Sequence, residues 1–131
     1  MASIFTKIIN GELPAYKVAE DENFIAFLDI SPNAKGHTLC VPKKEIDKIF
    51  DMEEAHYLAL MEFSRKVALA LEKTVPCKRV GMAVVGLEVP HVHVHLIPLQ
   101  QMSDMDFSSK ISLTSQEFSE LATAISQNYN S

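Results

Sequence analysis

Three histidines alternate with apolar residues in the run His91-Val92-His93-Val94-His95-Leu96-Ile97-Pro98. Period-2 alternation bounded by prolines predicts a β-strand with two unlike faces. Val92, Val94 and Leu96 then point into a core, and His91, His93 and His95 line the opposite face. Strand stability does not call for imidazole at successive positions of one face, because each ring brings polar nitrogens that need partners or water. Chemistry explains the concentration better than folding does. Neutral imidazole is a nucleophile, a metal ligand and a proton carrier near neutral pH.

Four uses of that face are open on these residues alone. The rings can be structural and satisfied by backbone, the use that fits His56, alone on a long helix. They can bind zinc, since side chains two apart on a strand converge, with His37 or Asp29 as a further ligand. One ring can attack as a nucleophile while the others position an anionic group. Or the rings can hold a phosphate without turnover.

Several elements must position these side chains. Residues 4–10 form a short helix that stops at Asn10-Gly11. Strands follow at Tyr16 to Ala19 and Asn23 to Asp29, separated by a turn at Glu20-Asp21-Glu22. In the second strand Ile25, Phe27 and Asp29 share one face, and Phe24, Ala26 and Leu28 the other. Ser31-Pro32-Asn33 is a loop. A strand from His37 to Pro42 comes after Gly36. The strongest helix runs from Met52 to Thr74, with Asp51 as N-cap, Glu54 three residues on and Pro76 past its end. Its buried stripe is Leu60, Phe63, Val67, Ala70 and Leu71. A strand from Arg79 to Val85 precedes the histidine strand. Beyond Pro98 the chain turns polar from Gln100 to Ser109, and a last helix at about Ser115 to Gln127 carries Phe118, Leu121 and Ile125. This order predicts an α+β domain, an antiparallel sheet of about five strands packed against one long helix.

The bulk composition narrows the function classes. With 131 residues, 47% hydrophobic and 22% charged, the chain fits one domain over 1–131 with a sizeable core. A net charge of −5 argues against broad affinity for nucleic acid or an anionic membrane, yet leaves room for a small anionic ligand held by a few local donors. The opening Met-Ala-Ser-Ile-Phe-Thr-Lys lacks a signal-peptide core, and no apolar stretch approaches bilayer-spanning length. Cys40 and Cys77 form no C-x-x-C pair, which removes a zinc knuckle or redox motif and makes the cytoplasm the default compartment.

The segment from Phe27-Leu28-Asp29-Ile30 through Gly36-His37-Thr38-Leu39-Cys40-Val41-Pro42-Lys43-Lys44, followed by His91 to Pro98, resembles the histidine-triad (HIT) family of nucleotide hydrolases and transferases. The opening Ile4-Phe5-Thr6-Lys7-Ile8-Ile9 with Leu13-Pro14 is also similar to that family. The resemblance covers a core of about residues 4–100, before the last helix. It implies an α+β sheet with one principal helix and a homodimer in which the sheet continues across both protomers. Pairing is expected to bury the apolar side of the long helix and an edge strand.

By that resemblance His93 attacks the α-phosphorus of a purine nucleotide and forms a covalent nucleotidyl-imidazole, which water or another acceptor resolves. Attack needs a fixed lone pair on Nε2, so Nδ1 must carry the proton and donate it to a fixed acceptor. A backbone carbonyl near His91 is what the family supplies. His95 and His37 match histidines that hold phosphate oxygens and help protonate the leaving group, and His91 buttresses the site. Asp29 matches the acid that accepts hydrogen bonds from the ribose hydroxyls. Phe27, Ile30, Ile4, Phe5, Ile8 and Leu13 match an apolar slot for the base. No cofactor and no metal are implied. The substrate class is an adenosine phosphoramidate or a dinucleoside polyphosphate. A nucleotide-binding regulatory module and a zinc hydrolase are the alternatives.

The chain departs from the family at two points. Many members carry Gly-Gln-Ser/Thr shortly before the triad, whereas this chain has Gly86-Leu87-Glu88-Val89-Pro90. Leu87 and Glu88 are therefore candidates for setting substrate choice. The chain also has no tryptophan, so the aromatic carboxyl-terminal determinant of some phosphoramidase branches is absent.

Overall fold

Val92, Val94 and Leu96 lie in a continuous apolar core while His91, His93 and His95 face the other way, so the alternation in the sequence describes two real faces. Each buried aliphatic side chain contributes about 1.5–3 kcal/mol relative to an exposed one. Flipping the register by one residue would therefore be costly.

The computed structural model describes residues 2–131. In chain order it contains α1 (Ile4–Ile9), β1 (Lys17–Glu20), β2 (Phe24–Leu28), β3 (Thr38–Pro42), α2 (Glu54–Thr74), β4 (Arg79–Ala83), β5 (Val94–Leu99) and α3 (Ser115–Tyr129). Short 3-10 turns occupy Ile49–Asp51 and Met102–Met105. The five strands form one sheet in the order β1-β2-β3-β5-β4, with every pairing antiparallel. The fold is α+β, as the sequence predicts.

Phe24, Ala26 and Leu28 of β2 join the stripe of α2 and the apolar face of α3 in the main core. Ile25 and Phe27, with Leu39 and Val41 of β3, form a second cluster under Phe5, Ile8 and Ile9 of α1. The sheet is thus covered on one face by α2 and α3, and on the other by the short α1. His56 stacks on Phe24 at 5.4 Å between ring centroids. The α2 stripe is already covered within one chain, so the apolar surface of α2 that a second copy could still cover is that of the exposed Leu58 and Leu69. The sheet also ends in two edge strands, β1 and β4.

The ends of β1 to β4 differ from the sequence reading by one or two residues, and three further boundaries differ for a physical reason. Helix α2 begins after Glu53, which makes no side-chain cap bond, while Asp51 ends a 3-10 turn. The buried Met52 holds an extended backbone between them, because anchoring its side chain in the core interrupts the helical path. Strand β5 pairs only from Val94 onward. The Val92 N–H instead donates to the Ile46 carbonyl at 2.8 Å, so the first two histidines sit just ahead of the ladder. Helix α3 runs on to Tyr129, started by a capping box between Thr114 and Glu117 and packed through Phe118 on Tyr16 at 5.1 Å.

Gly36 is required where β3 begins. Its φ is +95°, and a Cβ there would meet Val75 at 3.0 Å and Pro98 at 3.1 Å. The residue it delivers next is His37.

Candidate active site

Antiparallel pairing assembles the site. Phe27 of β2 lies opposite Leu39 of β3, which lies opposite His95 of β5. One rung therefore carries an aromatic ring, a leucine and an imidazole on the same face. Asp29 follows β2 and His37 precedes β3, and the Asp29 N–H donates to the His37 carbonyl at 3.0 Å. Acid and imidazole are thus side by side although nothing local in the sequence joins them.

His91 is fully buried and fully bonded. Its Nε2 lies 2.7 Å from the Pro42 carbonyl, which can only accept, so Nε2 carries the proton. Nδ1 then accepts from the Ser3 hydroxyl at 2.7 Å. Ser3 is also the N-cap of α1, its Oγ accepting the Thr6 N–H at 3.0 Å. The same bond system ties helix α1 to the histidine row.

His93 is bonded on one side only. Its Nδ1 donates to the His91 carbonyl at 2.7 Å, so its Nε2 bears a lone pair, and that atom has no protein partner among the described residues. Phe5 flanks the ring at 4.9 Å and His95 at 4.8 Å between centroids. Burial holds the His93 pKa below the usual imidazole value, against the upward pull of the His91 carbonyl and Asp29. The ring is poised neutral.

A directed chain fixes the protons of the other two rings. The Asn33 backbone N–H donates to Nδ1 of His37 at 3.0 Å, so His37 carries its proton on Nε2. That Nε2 lies 2.9 Å from Nδ1 of His95, which must then accept, leaving an N–H on Nε2 of His95. Burial pushes His37 down to about 3 and His95 down to about 4, with neighbouring positive charge adding to both. The Asp29 carboxylate stands 3.6 Å from Nε2 of His37, which is too long for a direct bond. With His37 neutral, that approach is no ion pair. Asp29 also accepts the Ser31 N–H at 2.8 Å, and burial raises its pKa above the usual carboxylate range while that bond and Lys110 pull it down.

Phe5 and Phe27, in edge contact at 5.6 Å, and Ile8 meet in one cluster beside His93. Ile4, Leu13 and Ile30 do not join it. They are exposed, Ile30 by 73%, so an apolar slot using them would have to be completed by the ligand itself. Leu87 is 90% exposed and Glu88 is exposed as well, which leaves both clear of the histidine row, although the Glu88 charge reaches His93 and Asp29.

Four site residues escaped the sequence reading. Ser3 and Asn33 carry only cap and turn signals. Phe107 lies in the polar stretch from Gln100 to Ser109 and Lys110 just past it, and Phe107 is the one aromatic residue between Gln100 and Thr114. That lone ring was the available clue. It packs on His95 at 4.7 Å, so the missing tryptophan does not leave this side without an aromatic contact. Among the described residues one group could hold a metal ion, Asp29, His37 and His95, whose donor atoms lie within 4.8 Å of one another.

Fold and site together define a class, α+β proteins whose sheet carries a row of imidazoles beside an acidic strand end. The chain belongs to the HIT family, whose HIT domain model matches residues 10–102. It is 36% identical to an uncharacterized HIT-like protein of Borreliella burgdorferi, over 95% of this chain and 96% of that one. It is 38% identical to an adenosine 5′-monophosphoramidase of Saccharomyces cerevisiae, over 74% of this chain and 62% of the relative. A solved Hit-like protein from Bartonella henselae superposes with a TM-score of 0.84 at 29% identity, covering 96% of this chain and 95% of that one.

Proposed function

We propose that this chain is a nucleotide hydrolase that removes a substituent from the α-phosphate of a purine nucleoside monophosphate through a nucleotidyl-His93 intermediate. One observation carries the reading: the 2.7 Å bond from His93 Nδ1 to the His91 carbonyl, which commits the free lone pair to Nε2. The Nε2 lone pair forms the N–P bond and the bond from phosphorus to the leaving atom breaks, while the N–H on Nε2 of His95 donates a hydrogen bond to that atom and a water molecule supplies its proton. The hydroxide left by that water then attacks phosphorus and displaces His93, which restores the free Nε2 lone pair. His37 holds His95 in the required tautomer, and His91 holds the carbonyl that orients His93. Asp29 receives the ribose hydroxyls, and Phe5, Phe27 and Ile8 meet the base. The phosphoramidase relative in yeast supports an adenosine phosphoramidate as one substrate type, with dinucleoside polyphosphates as the other.

The test is chemical trapping. Wild type mixed with a slow adenylyl substrate and quenched in alkali should carry a nucleotidyl mass on the peptide containing His93. Adduct on His91 or His95 overturns the assignment, and stoichiometric binding with no adduct and no turnover favours a binding module.

A metal-dependent reading draws on the Asp29, His37 and His95 cluster. A cation there would have to displace the 2.9 Å bond between His37 and His95, and the Asn33 N–H already occupies the other His37 nitrogen. Activity is therefore expected to survive exhaustive chelation. Loss on chelation with recovery on added zinc would favour the metal.

We read the functional form as a homodimer paired through β4. That strand is one of the two sheet edges, and Met82 and the nearby Val85 are exposed there. Light scattering at micromolar concentration tests it. The cytoplasm is the proposed compartment, a reading supported by two free thiols, Cys40 and Cys77. Among the described residues no helix is long and apolar enough to cross a membrane.

A further inference from the structure

The chain beyond the matched family domain returns to the histidines. The Ile111 N–H donates to the Pro32 carbonyl at 2.9 Å, which fastens this stretch beside the loop that holds Asn33. Nζ of Lys110 donates to Oδ1 of the buried Asn33 at 2.7 Å and lies 5.2 Å from the centre of the Phe107 ring. Phe107 covers His95, His95 bonds His37, and His37 accepts from Asn33. The contacts close a circuit from Lys110 through Asn33, His37, His95 and Phe107 back to Lys110. An ammonium has three donors, and Asn33 occupies one of them. The lysine is exposed, so its remaining donors are free to meet a ligand.

Charges around the site are unequally placed. Lys110 acts electrostatically on Asp29, His37 and His95, whereas Glu88 acts on Asp29 and His93. The acids on the same stretch keep their charge but are held in local bonds. Asp104 accepts the N–H groups of Gln100 and Gln101, and Asp106 accepts from Ser108. Lys110 is thus the cation that acts on His37 and His95, in a chain whose net charge is −5.

We propose that Lys110 recognises the leaving group and that this chain favours a leaving group bearing an anionic oxygen group, a carboxylate or a phosphate. The inference rests on the nucleotidyl-His93 reading, because the leaving atom that accepts the hydrogen bond of His95 must lie within reach of that ring. A group extending from that atom passes over Phe107, where Lys110 is held. An uncharged alkyl group gains only apolar contact with Phe107, while an anion gains a charge-assisted bond.

The experiment compares three adenylyl substrates: the N-propyl phosphoramidate, the N-(2-carboxyethyl) phosphoramidate and diadenosine triphosphate. In wild type, kcat/KM for the carboxylate or polyphosphate compound should exceed that for the propyl compound. Lys110→Met should lower that ratio by about tenfold, the scale of one charge-assisted hydrogen bond, and Lys110→Arg should restore much of it. A fall in either anionic arm supports the proposal, and the arm that falls more identifies the recognised group. An equal loss on all three substrates overturns it, since Lys110 would then act only by holding Asn33. Failure of the nucleotidyl-His93 reading is seen separately, as absence of adduct on His93 in wild type with every compound. In that case calorimetric binding of the two phosphoramidates decides the charge question. Selective weakening of the carboxylate compound in Lys110→Met sustains it, and equal Kd changes end it.

Discussion

The two ends of the histidine row are built on opposite plans. At one end His91 spends both nitrogens on the protein, on Pro42 and Ser3, and is 0% exposed. At the other end His93 and His95 each spend one nitrogen and keep Nε2 for something else. The residues are alike and share one strand face. What separates them is the partner on the second nitrogen, and that difference divides structural imidazole from chemical imidazole.

The strongest way to break this division is to truncate both rings in parallel. His93→Ala should lose at least about 10³-fold in kcat while still binding nucleotide, since only the nucleophile is removed. His91→Ala should show its main loss in stability, about 2–4 kcal/mol by urea unfolding, because a buried carbonyl and a hydroxyl lose their partner and a cavity opens. A His91→Ala protein of wild-type stability would place His91 among the reacting groups.

Asp29 sharpens the comparison on the open side. Asp29→Asn keeps an oxygen for the Ser31 N–H but removes the charge. Ribonucleotide affinity should fall by about 1.5–3 kcal/mol, and 2′-deoxynucleotide affinity by less, as calorimetry can measure. Equal losses would remove Asp29 from the ribose role.

Acid should expose the cost of keeping the open side neutral. His37 and His95 sit at about 3 and about 4, against about 6.5 in an unfolded chain. Between those values the unfolded chain binds protons that the native chain refuses. Their share of stability is therefore full above about pH 6.5 and is lost as pH falls toward about 4. Asp29, raised by burial, has the opposite sign, since the native chain keeps its proton as pH rises past the unfolded value. The urea midpoint should drop between about pH 7 and about pH 4.5, and less steeply in His95→Gln. A flat profile in wild type would mean that these rings charge without opposing the fold.

The smallest effects are expected in the loop before the row. Glu88→Gln and Leu87→Gln should each change the ranking of adenylyl substrates by no more than about threefold, because solvated side chains couple weakly. A larger shift toward polyphosphates in Leu87→Gln would make this loop, not Lys110, the selector.

Much of this site was legible in residue types. The period-2 run gave the strand and its faces, and the resemblance carried by Asp29, His37 and the triad gave their neighbourhood. The slot was legible only in part. Phe5, Ile8 and Phe27 meet because they pack on one sheet face, whereas Ile30 follows the end of β2 and turns to solvent. The start of α2 was misread because local capping at Asp51 competes with burial of Met52, and burial wins.

By itself the sequence determined which side chains share a face, because side-chain direction along a strand alternates whatever surrounds it. It also determined that the histidine face would need polar partners, since three rings bring more polar nitrogens than an apolar face can satisfy. Only the tertiary structure decided where His91, His37 and His95 carry their protons. That choice depends on a carbonyl at Pro42, a hydroxyl at Ser3 and an amide at Asn33, each far from its imidazole along the chain or turned toward it by a loop. The same holds for Lys110 and Phe107. Their place beside His95 is set by a stretch beyond the motif that folds back on Pro32 and Asn33, a long-range contact that no local pattern encodes.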